Sequence, residues 1–236
     1  MLSSCAGPST GRAASGSGSS LRPDEWGHRA GPQGFRTVII DAGHGGKDSG
    51  AVSPWNGVKE KDLTLDTARR VQSLLSGKVK TQLMRGDDTF VELDDRVARA
   101  SSRDATILVS IHYNSGPAGL RGPETYYWRV DSHGLATRIQ RNISSVAPAQ
   151  SGNRGLVRRR IRLTRNPNVP CVLVEVGYIS SPGEVKLCSD PAYRDRMARA
   201  IAGAILDQQQ KGDAGTGPLP RPLNEPPSRP SDPAGS

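Results

Sequence analysis

Three short apolar runs in this chain each break off at a side chain able to bind a metal or move a proton. Thr37-Val38-Ile39-Ile40 leads into Asp41-Ala42-Gly43-His44-Gly45-Gly46, Thr106-Ile107-Leu108-Val109-Ser110-Ile111 delivers His112, and Cys171-Val172-Leu173-Val174 delivers Glu175. Runs rich in β-branched residues that end in glycines or polar residues read as strands closing in turns. Stretches of helical period lie between them. Leu63, Leu65, Ala68, Val71, Leu74 and Leu75 form one apolar stripe, with Gly77 placed to end the helix. Arg96, Val97 and Ala100 mark a second helix, His133 to Val146 a third, and Tyr193 to Gln209 a fourth, with Met197, Ala200, Ile201 and Ile205 as its inner face. Lys80 to Met84 and Glu124 to Trp128 complete the strands. Strands alternating with helices predict the α/β class.

Length sets one domain with tails, because 236 residues suffice for one substantial core and not for two large ones. Gly and Pro concentrate at the two ends, so the reading is a flexible tether over 1–35, a folded domain over 36–211 and a disordered or extended Pro-rich tail over 212–236. His28 falls in the tether and reads as a solvated histidine. A net charge of +9 attracts anionic polymers of any kind and does not choose among them. The densest basic stretch, Arg158 to Arg165, reads as a strand with one solvated face, and no aromatic residue interleaves it, which argues against a nucleic-acid partner.

The three cysteines lack the close pairing of a disulfide framework or a zinc ribbon. Cys171 reads as a core residue, and a bridge to Cys188 is left open. Cys5, in Leu2-Ser3-Ser4-Cys5-Ala6-Gly7, matches the cleavage end of a bacterial lipoprotein signal, although no apolar segment precedes it. The expectation is a lipidated Cys5 attaching the chain to a membrane. No other stretch approaches the roughly 20 apolar residues of a membrane span.

Taken one at a time, the polar residues at the turns are weak signals. Glu60 reads as a helix-start charge favoured by the helix dipole, or as the carboxylate completing a His-Glu-His set with His44 and His112, the three N and O ligands typical of zinc in hydrolases. Asp41 either accepts the second ring proton of a ligand histidine or caps the turn. Asn114 contacts substrate or caps a loop, and Glu124 faces the cleft without ligating. His133 reads as exposed at a helix start. Arg96 and Arg165 are candidates to hold a substrate carboxylate.

In combination the motifs are specific. Asp41-Ala42-Gly43-His44-Gly45-Gly46-Lys47-Asp48-Ser49-Gly50, Lys59-Glu60-Lys61-Asp62-Leu63, Ser110-Ile111-His112-Tyr113-Asn114 and Val172-Leu173-Val174-Glu175-Val176-Gly177-Tyr178-Ile179-Ser180 resemble, in order, the zinc-dependent N-acetylmuramoyl-L-alanine amidases of bacterial cell-wall turnover. The resemblance runs from about Thr37 to Ile205. It implies a single domain with a twisted, mostly parallel sheet of about six strands flanked by helices. It implies Zn2+ held by His44, Glu60 and His112, with Glu175 as the catalytic carboxylate. It also implies hydrolysis of the amide between N-acetylmuramic acid and L-alanine in peptidoglycan, in the periplasm or elsewhere outside the cytoplasm. A monomer is expected. Two other readings share these residues: cleavage of another cell-wall peptide bond, and a catalytically silent envelope-binding protein, which loss of one of the four central residues would mark. The interval between His112 and Glu175 is too short for the plug helix that some relatives carry.

Overall fold

The computed structural model describes residues 30–102 and 104–221. The expected tether up to residue 29, with Cys5 and His28, and the tail from residue 222 lie outside the described residues. Six strands form one sheet: β1 (Thr37–Ala42), β2 (Lys80–Leu83), β3 (Thr106–Asn114), β4 (Glu124–Tyr127), β5 (Gly155–Arg158) and β6 (Cys171–Tyr178). Their spatial order is β2-β1-β3-β6-β4-β5. All neighbours run parallel except β4 and β6, which are antiparallel. The α/β class and the mostly parallel six-stranded sheet are therefore as the sequence predicts.

Period-2 alternation explains how the sheet is buried on both faces. Val38, Ile40, Ile107, Val109, Val172 and Val174 point into the larger core. There they meet α1 (Glu60–Leu75), α3 (His133–Val146) and α6 (Pro191–Lys211). Ile39, Leu108 and Cys171 point the other way, into a smaller core with Ala100 of α2 (Leu93–Ser101) and Leu163 of α4 (Arg162–Arg165). A last helix, α5 (Pro182–Ser189), follows β6. Cys171 and Cys188 lie in different cores, so the bridge left open by the sequence does not form, and both are free.

α1 and α2 cover opposite faces, and the sheet grows outward in both directions from β1 and β3. Strand order reverses between those two strands. In open α/β sheets such a switch point opens a crevice beyond the carboxyl ends of the strands.

Several expectations need correcting. The Arg158 to Arg165 stretch is not one solvated strand: β5 ends at Arg158, and Arg162–Arg165 forms a helical turn that buries Arg165 completely. Aromatic rings do sit beside it in space, since the guanidinium groups of Arg158 and Arg165 lie 5.6 and 5.7 Å from the Trp128 ring centroid. His133 is half-buried, its ring edge-on to Tyr127. The chain just after Lys211 is not free, for Gly212 and Thr216 are buried against the domain. Among the described residues no helix is long and apolar enough to cross a membrane.

Candidate metal centre

β1, β3 and β6 bring the chemistry-bearing residues to one level of the sheet. His112 stands opposite Glu175 across β3 and β6, and Glu175 stands opposite Glu124 across β6 and β4. Adjacent strands are about 4.8 Å apart, so three polar side chains form a row. His112 and Glu175 lie within their strands, which run past the expected ends to Asn114 and Tyr178. His44 reaches the row from the turn after β1, and Glu60 from the first residue of α1.

His44, Glu60 and His112 converge. Glu60 Oε1 lies 3.0 Å from His44 Nε2 and 2.9 Å from His112 Nδ1. One nitrogen from each ring and one carboxylate oxygen all lie within 4.8 Å of one another. The two rings meet edge to face, their centroids 5.0 Å apart. Two imidazole nitrogens and a carboxylate oxygen are a donor set suited to zinc, with a further coordination position left for water or substrate. Glycines make the room: a Cβ on Gly43 would lie 2.3 Å from His112 Cε1, and one on Gly50 would lie 2.6 Å from His44 Cδ2 and 2.7 Å from Glu60 Oε2.

His44 adopts φ 61°, a left-handed conformation uncommon outside glycine. Two buried arginines hold the turn there. Arg96 donates from Nη2 to the His44 carbonyl at 2.8 Å and from Nη1 to the Ala42 carbonyl at 3.0 Å. Arg85 donates to the carbonyls of Ala42 and Gly43, each at 2.9 Å. The expected roles of Asp41 and Arg96 change accordingly. Asp41 is fully buried and accepts from Arg96 Nη1 and Ser110 Oγ, so it neither orients a histidine nor caps the turn with its side chain. Arg96 is spent on Asp41 and the loop carbonyls, and Arg165 packs on Trp128 near the opposite end of β4, so neither arginine faces the row.

Asp48, passed over in the sequence, takes the role considered for Asp41. Its Oδ2 lies 2.8 Å from His44 Nδ1. A carboxylate on Nδ1 favours the proton there, so Nε2, which faces Glu60, is the nitrogen that the neutral ring would offer a metal. The available signal was its position four residues after His44 on a glycine turn. Arg85 gave none, because an arginine following a strand is ordinarily solvated.

Electrostatics divides the carboxylates. Burial disfavours a charged Glu60, but hydrogen bonds from His112 and His44 outweigh it and hold its pKa far below the ordinary range. Burial alone would lower the His44 pKa, whereas its contacts with Glu60 and Asp48 raise it above 6.5. Glu175 goes the other way: burial pushes its pKa well up, and the nearby Glu60 and Glu124 carboxylates add to the rise. Its Oε2 is buried and finds no hydrogen-bond partner among the described residues. Glu124 is tied down, accepting from Tyr178 OH and from Asn114 Nδ2 at 2.8 Å, with Arg154 Nε 3.4 Å from its other oxygen. Asn114 also accepts from the Ser115 N–H at 2.7 Å. It thus links a loop cap to the Glu124 cluster.

Known proteins share this fold. The family described as N-acetylmuramoyl-L-alanine amidase matches residues 38–207. Among curated relatives, the uncharacterized protein YqiI of Bacillus subtilis is 38% identical over 175 residues, covering 72% of this chain and 83% of its own. The N-acetylmuramoyl-L-alanine amidase LytC of the same organism is 35% identical over 170 residues, covering 70% of this chain. The chain spans only 34% of the length of LytC and 65% of the Bacillus phage SPP1 endolysin. Among solved structures, the catalytic domain of the amidase CwlV from Bacillus (Paenibacillus) polymyxa var. colistinus superposes with a TM-score of 0.69 at 37% identity, covering 73% of this chain and 97% of that one. The amidase AmiC2 of Nostoc punctiforme gives 0.69 at 38% identity, covering 75% and 98%.

Proposed function

Because the chain belongs to the N-acetylmuramoyl-L-alanine amidase family, we propose that it hydrolyses the amide joining N-acetylmuramic acid to the L-alanine of the peptidoglycan stem peptide, using zinc held by His44, Glu60 and His112. The observation that carries the reading is the convergence of those three donors beside the buried Glu175. Bound there, zinc supplies Lewis acidity to a water molecule and to the scissile carbonyl.

The remaining work falls to the chain's own residues. Asp48 fixes the His44 tautomer. Glu175 stands one strand from His112 with a buried Oε2 that no group among the described residues engages, which suits it to take a proton from the attacking water and return it to the departing amine. The amine leaves once protonated, which splits the carbonyl carbon from nitrogen and frees the peptide from the lactyl group. Glu124, fixed by Tyr178 and Asn114, adds negative charge on the far side of Glu175 and favours its protonated form in the second half of the reaction.

Digestion of purified peptidoglycan followed by mass analysis tests this directly. The wild type should release peptides beginning at L-alanine and leave glycan that keeps its lactyl groups. A chelator should stop the release and added zinc restore it. Glu175→Ala should lose about a hundred- to ten-thousandfold in rate. Products cut within the peptide would sink the substrate assignment, and full activity of Glu175→Ala would sink the mechanism.

The same reading puts the enzyme outside the cytoplasm, attached through a lipidated Cys5, with the segment before Gly31 as tether, a catalytic domain that extends beyond 36–211 at both ends to take in Gly31, Phe35 and Thr216, and the chain a monomer. Its support is the Leu2-Ser3-Ser4-Cys5 pattern and the extracytoplasmic location of the substrate. Metabolic labelling with a fatty acid, lost in Cys5→Ala, and sedimentation of the purified chain are the checks.

A further inference from the structure

Few large apolar side chains stand exposed among the described residues, and two of them share one hairpin beside the metal centre: Val52 at 50% and Trp55 at 55%. The hairpin is tied firmly at both ends. At its base the Ala51 N–H donates to Glu60 Oε2 at 3.0 Å, the Glu60 N–H donates to the Ala51 carbonyl at 2.8 Å, and Val52 pairs with Lys59. At its tip the indole Nε1–H of Trp55 donates to the Ser180 carbonyl at 2.8 Å, and Asn56 Nδ2 donates to Ser189 Oγ at 3.1 Å. The tip therefore bridges from the segment that carries Glu60 to the segment that follows Glu175.

Holding an indole by its N–H while leaving more than half of the residue in water does not serve a core. The single polar atom of the side chain is already satisfied, so what Trp55 offers to solvent is an apolar aromatic face at a fixed position. The surroundings are polar: Asn56 and Lys59 are exposed on the same hairpin. A pyranose ring matches such a site, with one face of C–H groups to lie on the negative face of the indole and hydroxyl and acetamido groups at its edge for polar neighbours. A protein partner fits poorly. A buried aromatic residue contributes roughly 150–250 Å², whereas a stable protein interface takes about 800 Å² from each side.

Position agrees with this. Ser180 follows Glu175 by five residues, a length of chain that reaches at most about 18 Å. The platform thus lies within a few sugar units of the row that holds Glu175. We propose that Trp55 is a saccharide-stacking platform that binds the glycan strand beside the scissile amide. This rests on the amidase reading, and it adds a determinant of substrate length to it.

The test uses the full chain and a peptide-free, β-1,4-linked N-acetylglucosamine oligomer, followed by calorimetry and tryptophan fluorescence. Wild type should bind, with quenching, and the affinity should not change with salt because the ligand is uncharged. Trp55→Phe should stay within about threefold, and Trp55→Ala should weaken binding about tenfold, equivalent to about 1.4 kcal/mol. On glycan strands bearing peptide, Trp55→Ala should raise KM with kcat little changed, and its loss should shrink on a single muramyl-peptide. Leu219→Ala, which removes another exposed apolar side chain, is the control for nonspecific effects. Equal oligomer binding by wild type and Trp55→Ala, absence of binding by wild type, or a Trp55-dependent self-association would each overturn the proposal. Trp55-dependent binding without peptide release would leave the platform standing and remove the amidase reading. Peptide release with binding indifferent to Trp55 would do the reverse.

Discussion

His44 is shaped by competition between a proton and a metal for the same nitrogen. Its raised pKa means that the metal-free ring keeps its proton above pH 6.5. The sign follows from linkage: a base with a raised folded pKa stabilises the metal-free fold fully below the unfolded value, and that stabilisation fades as pH rises through the folded value. Zinc needs the neutral ring, so its apparent affinity should begin to fall, on acidification, from above pH 6.5. Chelator competition across pH measures this. Asp48→Asn removes a charge that raises the His44 pKa, so the fall should start at lower pH. The same substitution should weaken zinc binding at alkaline pH by about ten- to a hundredfold, the usual effect of removing a partner that orients a metal-bound histidine. An unchanged profile would mean that Asp48 does not hold the ring. His44→Ala should abolish metal content and turnover together, whereas a purely structural histidine would lower stability and leave the metal in place.

At the scale of elements, the turn after β1 is held from behind. Asp41 and Arg96 are both buried, paired with each other, and placed where β1 meets α2. Removing one partner leaves the other charge buried and unpaired, which costs about 3–5 kcal/mol. Asp41→Ala should therefore lower the unfolding free energy by that amount, read as a fall in the urea midpoint at constant m, and zinc affinity should fall with it because Arg96 also holds the His44 carbonyl. Gly43→Ala separates the two effects. Its Cβ would collide with the His112 ring, so metal content should drop while the unfolding midpoint moves by less than half as much as in Asp41→Ala. The sequence made much of this legible, because β1, β3, α1 and α3 announce themselves through apolar period and glycine stops. What escaped it has a physical cause. β5 is short and only half-buried, and α5 has scarcely any apolar face, so neither carries a period to read. Asp41 could not be told from a turn cap, nor Arg96 from a solvated arginine, because their pairing joins residues far apart in the chain through a contact that exists only once α2 folds against the sheet.

The molecule as a whole is closed by a polar clasp where sequence reasoning draws only a boundary. A stretch rich in Gly and Pro cannot build an apolar core, yet a buried cation can hold one by its carbonyls. Arg138 of α3 is buried and donates to Gln208 Oε1 at 3.1 Å, to the Gly212 carbonyl at 2.9 Å and to the Ala214 carbonyl at 2.5 Å. Asp213, in the same turn, accepts from the Gly31 N–H at 2.6 Å and from Gln208 Nε2 at 3.0 Å. The segments that flank the domain, at Gly31 and at Gly212 to Ala214, are thereby fastened to α3 and α6. A chain ending at Lys211 would leave the Arg138 guanidinium without two of its acceptors, and each unmet buried donor costs about 1–3 kcal/mol. Truncation there should lower stability by at least that amount, and Asp213→Ala by about 1–2 kcal/mol, both read from denaturant midpoints. Neither change touches the metal row, so zinc stoichiometry and the rate measured well below the midpoint should hold. Loss of metal in a truncated chain that is still folded would show that the clasp also positions the centre, and an unchanged midpoint would show that the turn is merely resting on the domain.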